Sequence, residues 1–286
     1  MDSRSRAKSQ DLTFCKAALH ALYCDVKCFP MFFDSHAHLS SQEILPQVES
    51  VLERARAASV RRMINICTDR ESLESGLLIA QGHRDVLNAG ATTPHDVCTE
   101  GELNFPLFEK AAAAGQLVAV GETGLDYHYD YSDKKTQGLF LVRYLHLAAE
   151  HKLPVIFHCR EAFADLFSIV DAEYPKEFSA ILHCFTGTMR EAEQVIARGW
   201  SLSLSGIVTF KKSEELRLVA KEIPLKQLLI ETDSPYLAPQ SRRGQPNEPA
   251  FIGETARCIA ALRNESLETV AQATFENASR VFRLPN

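Results

Sequence analysis

The nine residues FFDSHAHLS, at positions 32–40, set the reading of the whole chain. A short apolar run ends in two histidines, His36 and His38, one residue apart. On a strand, residues i and i+2 project to the same side, so this spacing aims two imidazoles at one point. Neutral imidazole is the commonest protein ligand for transition metals. Outward from this stretch, similar apolar runs recur: RMINICT (62–68), VLNAGAT (86–92), LVAVGET (117–123), PVIFHC (154–159), SAILHCF (179–185), WSLSLSG (200–206) and QLLIETD (227–233). With MFFDSH (31–36) they make eight. Near-continuous apolar runs are what parallel strands covered on both faces require. Between them, segments such as ILPQVESVLERARAAS and KKTQGLFLVRYLHLAAEHK carry apolar residues at helical spacing. The tail, FIGETARCIAALRNESLETVAQATFENASRVF, reads as two closing helices. Eight β/α units in about 250 residues predict an α/β protein with a TIM (β/α)8 barrel. An open, doubly wound sheet is the alternative. Residues 31–286 read as one such domain.

Composition narrows the functional classes. The chain has 286 residues, 45% hydrophobic and 24% charged, which is ordinary for a globular protein. Its net charge is −6, whereas a protein that holds nucleic acid with its whole surface is normally basic. Either the substrate is not a polyanion, or positive charge is local, for example on bound metal ions. Eight cysteines are scattered without a C-x-x-C pair, the usage of small packing residues in a reducing compartment. No apolar run approaches the ~18 residues of a membrane span, so no membrane partner is expected. Residues 1–30 begin basic, but Lys16, His20, Asp25 and Lys27 break the apolar part, which makes a poor signal peptide. They are expected to be an appendage to a domain opening at Met31, with a short amphipathic helix as the alternative. A cytoplasmic monomer is expected.

In a TIM barrel the active site lies at the C-terminal ends of the strands. The polar residues there are Asp34, His36 and His38 on strand one, Glu122 on four, His158 and Arg160 on five, His183 on six, and Glu231 and Asp233 on eight. Taken singly, each has a bland account. His158 reads as a satisfied core ring, and Asp233, before Ser-Pro, as a turn residue. Together, six metal-ligand types at five strand ends outweigh those accounts. His36, His38, Glu122, His158, His183 and Asp233 are too many for one tetrahedral ion. They suit two divalent ions bridged by a carboxylate such as Glu122. His95 and His128 follow strands three and four and are candidates for supporting or substrate-side positions. Cys159 and Cys184 each follow a ligand histidine, and alternation predicts that they face away from the site.

FFDSHAHL, GETGLDYHYD, PVIFHCREA, ILHCFTG, SLSGIVTFKK, LLIETDSPYLAP and RRGQPNEP, in this order from about Met31 onward, closely resemble the TatD family of metal-dependent deoxyribonucleases. These are TIM barrels of the amidohydrolase superfamily. The resemblance implies that the same six residues hold a dinuclear site for Mg, Mn or Zn. It also implies phosphodiester hydrolysis, typically exonucleolytic. The family's Gly-x-His-Pro-His pattern after strand three reads GATTPHD here. Thr93 replaces its first histidine and His95 is kept, which bears on substrate contacts in that loop and not on the ligands.

The expected activity is hydrolysis of DNA, and also of RNA, by a hydroxide generated on the metal pair. Asp233 is both ligand and proton acceptor, and Glu122 is the bridge. Arg160 has the planar fork that suits a phosphate. Lys211, Lys212, Arg242 and Arg243 follow strands seven and eight, the usual phosphate side of this barrel, and otherwise read as solvated charge. Two other classes compete. Amidohydrolases acting on a small ester or amide often bridge their metals with a carboxylated lysine at strand four, where this chain has Glu122. A non-catalytic metal-binding scaffold would have been free to lose ligands, and none is missing.

Overall fold

Each of the eight apolar runs forms a strand in the computed structural model, which describes residues 30–285. The strands are β1 (Phe32–Ala37), β2 (Val60–Cys67), β3 (Val86–Gly90), β4 (Ala119–Asp126), β5 (Val155–Arg160), β6 (Ala180–Leu182), β7 (Ser201–Leu204) and β8 (Leu228–Ile230). They pair in parallel in the order β1-β2-β3-β4-β5-β6-β7-β8. The chain after β8 returns to β1: the Asp233 N–H donates to the His36 carbonyl at 2.9 Å, and the His38 N–H donates to that of Ser234 at 2.8 Å. The helices between strands are α1 (Val48–Ala57), α2 (Arg70–Gly82), α3 (Val97–Ala113), α4 (Lys134–His151), α5 (Phe163–Glu173), α6 (Met189–Ala197) and α7 (Glu214–Glu222). The two closing helices are α8 (Ile252–Arg263) and α9 (Leu267–Val281). This is the TIM barrel expected. The proposed appendage lies outside the described residues except for Pro30. No described helix is long and apolar enough to cross a membrane.

Polar starts explain several helix positions. Asp69, Asp133 and Ser266 each accept a backbone N–H of the first helical turn, satisfying donors that have no partner inside the helix. The apolar faces of the helices then pack on the outer face of the strands.

The barrel interior is a separate apolar plug. Phe33, Ile64, Ile66, Ala89, Ala119, Ile156, Ile181 and Leu229 point inward, and Ala278, Val281 and Phe282 join them from the end of the chain. The Phe33 ring lies 5.7 Å from Phe275 and 5.8 Å from Phe282. Helix α9 therefore closes the lower end of the barrel, and the site occupies the upper end.

Two irregularities set which side chains reach that upper end. In β1, Asp34 pairs with Met63 but Ala37 pairs with Asn65, so β1 carries one extra residue. In β4, Val120 pairs with Val155 but Thr123 pairs with Phe157, again with one extra. Such bulges re-aim side chains. Below them, odd-numbered Phe33 and Ala119 face inward; above them, even-numbered His36, His38 and Glu122 do. Strand β4 also runs further than expected, to Asp126, because it keeps pairing with β5 through Gly124–His158 and Asp126–Arg160. At Gly124 φ is 148°, and a Cβ there would strike the His158 carbonyl, so only glycine permits the approach.

Candidate functional site

The six expected ligand residues converge at the upper end of the barrel. The Nε2 atoms of His36 and His38 are 3.3 Å apart. Asp233 Oδ1 lies 3.5 Å from the first and 3.4 Å from the second. Glu122 Oε2 lies 3.4 Å from His36 and 3.9 Å from His38. The other oxygen of Glu122, Oε1, faces a second group: His158 Nδ1 at 2.8 Å and His183 Nε2 at 2.9 Å. Those two nitrogens are 3.4 Å apart. One carboxylate thus serves two donor groups, one oxygen to each. Four donors around an ion with bonds of about 2.0–2.2 Å in a tetrahedron stand about 3.3–3.6 Å from one another. The first group matches that spacing nearly throughout.

Three further carboxylates support the cluster. Asp126 Oδ2 accepts from His158 Nε2 at 2.9 Å, while its Oδ1 accepts the backbone N–H groups of His128 and Tyr129, each at 2.9 Å. Sequence reasoning missed Asp126. Its signal was the spacing of four from Glu122, which on a strand keeps both on one face. Glu231 lies 3.4 Å from His183 Nδ1 and takes the Cys184 N–H at 2.7 Å. Asp34, at the base, accepts from the Thr232 N–H at 2.9 Å and ties β1 to the end of β8.

The electrostatics call for positive charge. Burial alone would raise Glu122, but His183, His158 and His36 hold it well below the ordinary carboxylate range. Burial is likewise outweighed at Asp233, which His38 and His36 lower. Burial would also depress His183, yet Glu122 and Glu231 lift it well above an ordinary imidazole. His38 and His158 are raised against burial by Asp233 and by Asp126 with Glu122, respectively. His36 is lowered, by burial and then by His183. Among the described residues no lysine or arginine ion-pairs with Glu122 or Asp233. The imidazoles alone balance two carboxylates that a divalent ion would balance better. The donor set, four imidazoles and two carboxylates, suits a borderline ion such as Zn, with Mn served by the carboxylates, better than Mg, which takes oxygen ligands.

The cluster opens into a cavity of about 690 Å³ lined by His38, Thr93, His95, Tyr129, Arg160 and Tyr236, among others. Arg160 and His95 therefore border the space in front of the donors. Thr93, in place of a histidine, donates to Asp96 at 2.7 Å. His128 sits at the rim, 2.7 Å from Glu161, and is not part of the lining. Lys211 and Arg243 are exposed and also lie outside the lining. Arg243 instead covers the Phe210 ring at 4.7 Å, and its neighbour Arg242 pairs with Glu254 at 2.9 Å. Cys184 corrects the expectation from alternation. Strand β6 ends at Leu182, and at φ 41° the Cys184 backbone leaves the strand, so its side chain borders the cavity beside Ser205. Cys159 is buried as expected, although it too touches the cavity edge. Burial pushes its thiol up to about 12.

Comparison with known proteins points to one family. The family model described as TatD related DNase matches residues 33–283. The chain is 37% identical over 254 residues to an uncharacterized metal-dependent hydrolase, YabD, of Bacillus subtilis, covering 89% of this chain and 100% of that one. It is 36% identical over 259 residues to the 3'-5' ssDNA/RNA exonuclease TatD of Erwinia tasmaniensis, covering 88% and 100%. Among solved structures, the TatD homolog YJJV of Escherichia coli K12 superposes with a TM-score of 0.83 at 28% identity, covering 89% of this chain and 98% of that one. The chain belongs to the TatD-related DNase family of metal-dependent hydrolases.

Proposed function

We propose that this protein is a two-metal exonuclease that removes nucleotides from the 3′ ends of single-stranded DNA and RNA. The observation that carries the reading is Glu122, whose two oxygens are divided between two donor groups. His36, His38, Asp233 and Glu122 would hold one ion, and Glu122, His158 and His183 the other. Bound there, divalent ions supply a Lewis acid for the phosphate's charge and lower the pKa of a coordinated water from 15.7 to about 7.

The side chains supply the rest. Asp233 faces the histidines with Oδ1, which leaves its other oxygen to take a proton from the attacking water. Water adds to phosphorus, the P–O bond to the leaving sugar oxygen breaks, and that oxygen takes up the proton that Asp233 received. Arg160, on the cavity wall, offers a planar fork to a non-bridging phosphate oxygen. His95, 3.6 Å from Asp126, offers a further N–H on the same wall. The activity for which the Erwinia relative is named supports both the substrate and the direction. The acidic body is compatible with a polyanion because bound divalent ions, with Arg160, would concentrate positive charge at the site.

The test is metal-stripped protein, reloaded with Mg, Mn or Zn one at a time and given end-labelled single-stranded DNA and RNA. A ladder that shortens from the 3′ end, only with metal, is the expected result. Cleavage of neither polymer with any of the three ions would overturn the proposal.

A further inference from the structure

Three tyrosines crowd the mouth of the cavity without a role in the chemistry above. Tyr129 and Tyr131 are 41% and 68% exposed. Their rings stack on each other, centroids 5.2 Å apart and 11° from parallel. The Arg160 guanidinium lies over the Tyr129 ring at 4.9 Å. His95 presents an edge-on contact to both tyrosines, each at 5.7 Å, and a third to His158 at 5.4 Å. A continuous line of rings thus runs from a donor histidine through His95 to the stacked pair. Tyr236, 52% exposed, packs edge-on against His38 beside the other donor group.

Exposed aromatic rings lose apolar burial. Single exposed rings need no explanation, but a stacked pair continuous with a catalytic cavity does. With one face turned to Tyr129, a ring as exposed as Tyr131 presents its other face to water.

We infer that Tyr129 and Tyr131 form a platform on which the unpaired base next to the scissile phosphate stacks. The inference rests on the function proposed above and specifies how the substrate is engaged. Arg160 backs the inner ring of the platform, on the side away from the stacked base. Stacking on aromatic rings is sequence-tolerant, because every base has a π-face. It also discriminates against duplexes, whose bases are already stacked and paired. The platform therefore selects single strands without reading their sequence.

The test compares the full-length wild type with Tyr131→Ala and Tyr131→Phe, all loaded with Mn. One substrate is an ordinary single-stranded oligonucleotide; the other has the same backbone with tetrahydrofuran abasic units at its 3′ end. Base–aromatic stacking is worth about 1–3 kcal/mol, so Tyr131→Ala should raise KM on the ordinary strand by about 5–150-fold. Tyr131→Phe keeps the ring and should stay within about twofold. The penalty on the abasic strand should be at least fivefold smaller than on the ordinary strand. Equal penalties on both strands would show a merely structural role and overturn the inference; so would no penalty on either. A wild type that cleaves neither strand overturns the proposed function instead. In that event, fluorescence of a 3′-terminal 2-aminopurine decides the platform by binding alone: quenching by the wild type and at least twofold less by Tyr131→Ala supports it, and equal or absent quenching overturns it.

Discussion

Replacing Asp126 by asparagine tests the site at the point where sequence reasoning was blind. Asp126 is buried, and its Oδ2 lies 2.9 Å from His158 Nε2. An ionised carboxylate only accepts hydrogen bonds, so it keeps the His158 proton on Nε2 and leaves Nδ1 free to ligate. The amide of Asp126→Asn would offer an N–H to the same nitrogen and favour the tautomer whose Nδ1 is blocked. A hydrogen bond to a charged group is worth about 1.5–3 kcal/mol, which is about 10–150-fold in an equilibrium constant. Outer carboxylates of metal sites lose about 10–100-fold on mutation, so the two estimates agree. Chelator-competition titration of the stripped protein with Zn or Mn should show one of two ions weakened by about 10–100-fold. The ion held by His36, His38 and Asp233 should bind nearly as before. Burial would raise Asp126, but His158 and the Tyr129 N–H bring it to about 2, so it is charged at every working pH. Because Asp126 also raises His158, the wild type loses more to proton competition at low pH than the variant does, so the loss should be smaller at pH 6 than at pH 8. Binding of both ions within threefold of wild type would refute the tautomer argument.

Asp233→Asn keeps the volume of the side chain but removes its proton site, and turnover should fall by about 10²–10⁴-fold with little change in melting temperature. Activity within threefold of wild type, with metal content confirmed, would exclude Asp233 as the proton acceptor. Arg160→Ala should act mainly on KM, raising it by about tenfold as a charge-assisted phosphate contact is lost; a pure kcat effect in steady-state kinetics would contradict a binding role. A chain starting at Met31 should melt within about 3 °C of the full chain and keep its activity, because β1 begins at Phe32. Insoluble protein after that truncation would mean that residues 1–30 support the barrel.

The barrel and the candidate ligand residues that cluster at its mouth were legible without coordinates, because each depends on short-range pattern. Parallel strands buried on both faces leave an apolar run, and a site at the strand ends leaves a polar residue where each run stops. His36, His38, Glu122, His158, His183 and Asp233 all stand at such ends, and the structure brings their donor atoms into two adjoining groups. What the linear pattern could not decide was direction. A regular alternation from Phe33 would turn Ser35 and Ala37 to the mouth of the barrel, not His36 and His38. The extra residue in β1, and another in β4 before Glu122, reverse that parity, and they are visible only through pairing with β2 and β5. Cys184 escaped its expected face because β6 ends two residues before it. Asp126 lies past the apolar run that ends at Thr123, and the continued pairing of β4 with β5 puts its carboxylate against His158. Residue type and periodicity determine which side chains are available. Register, bulges and strand length arise from neighbouring strands distant in sequence, so the tertiary structure alone decides where each side chain points.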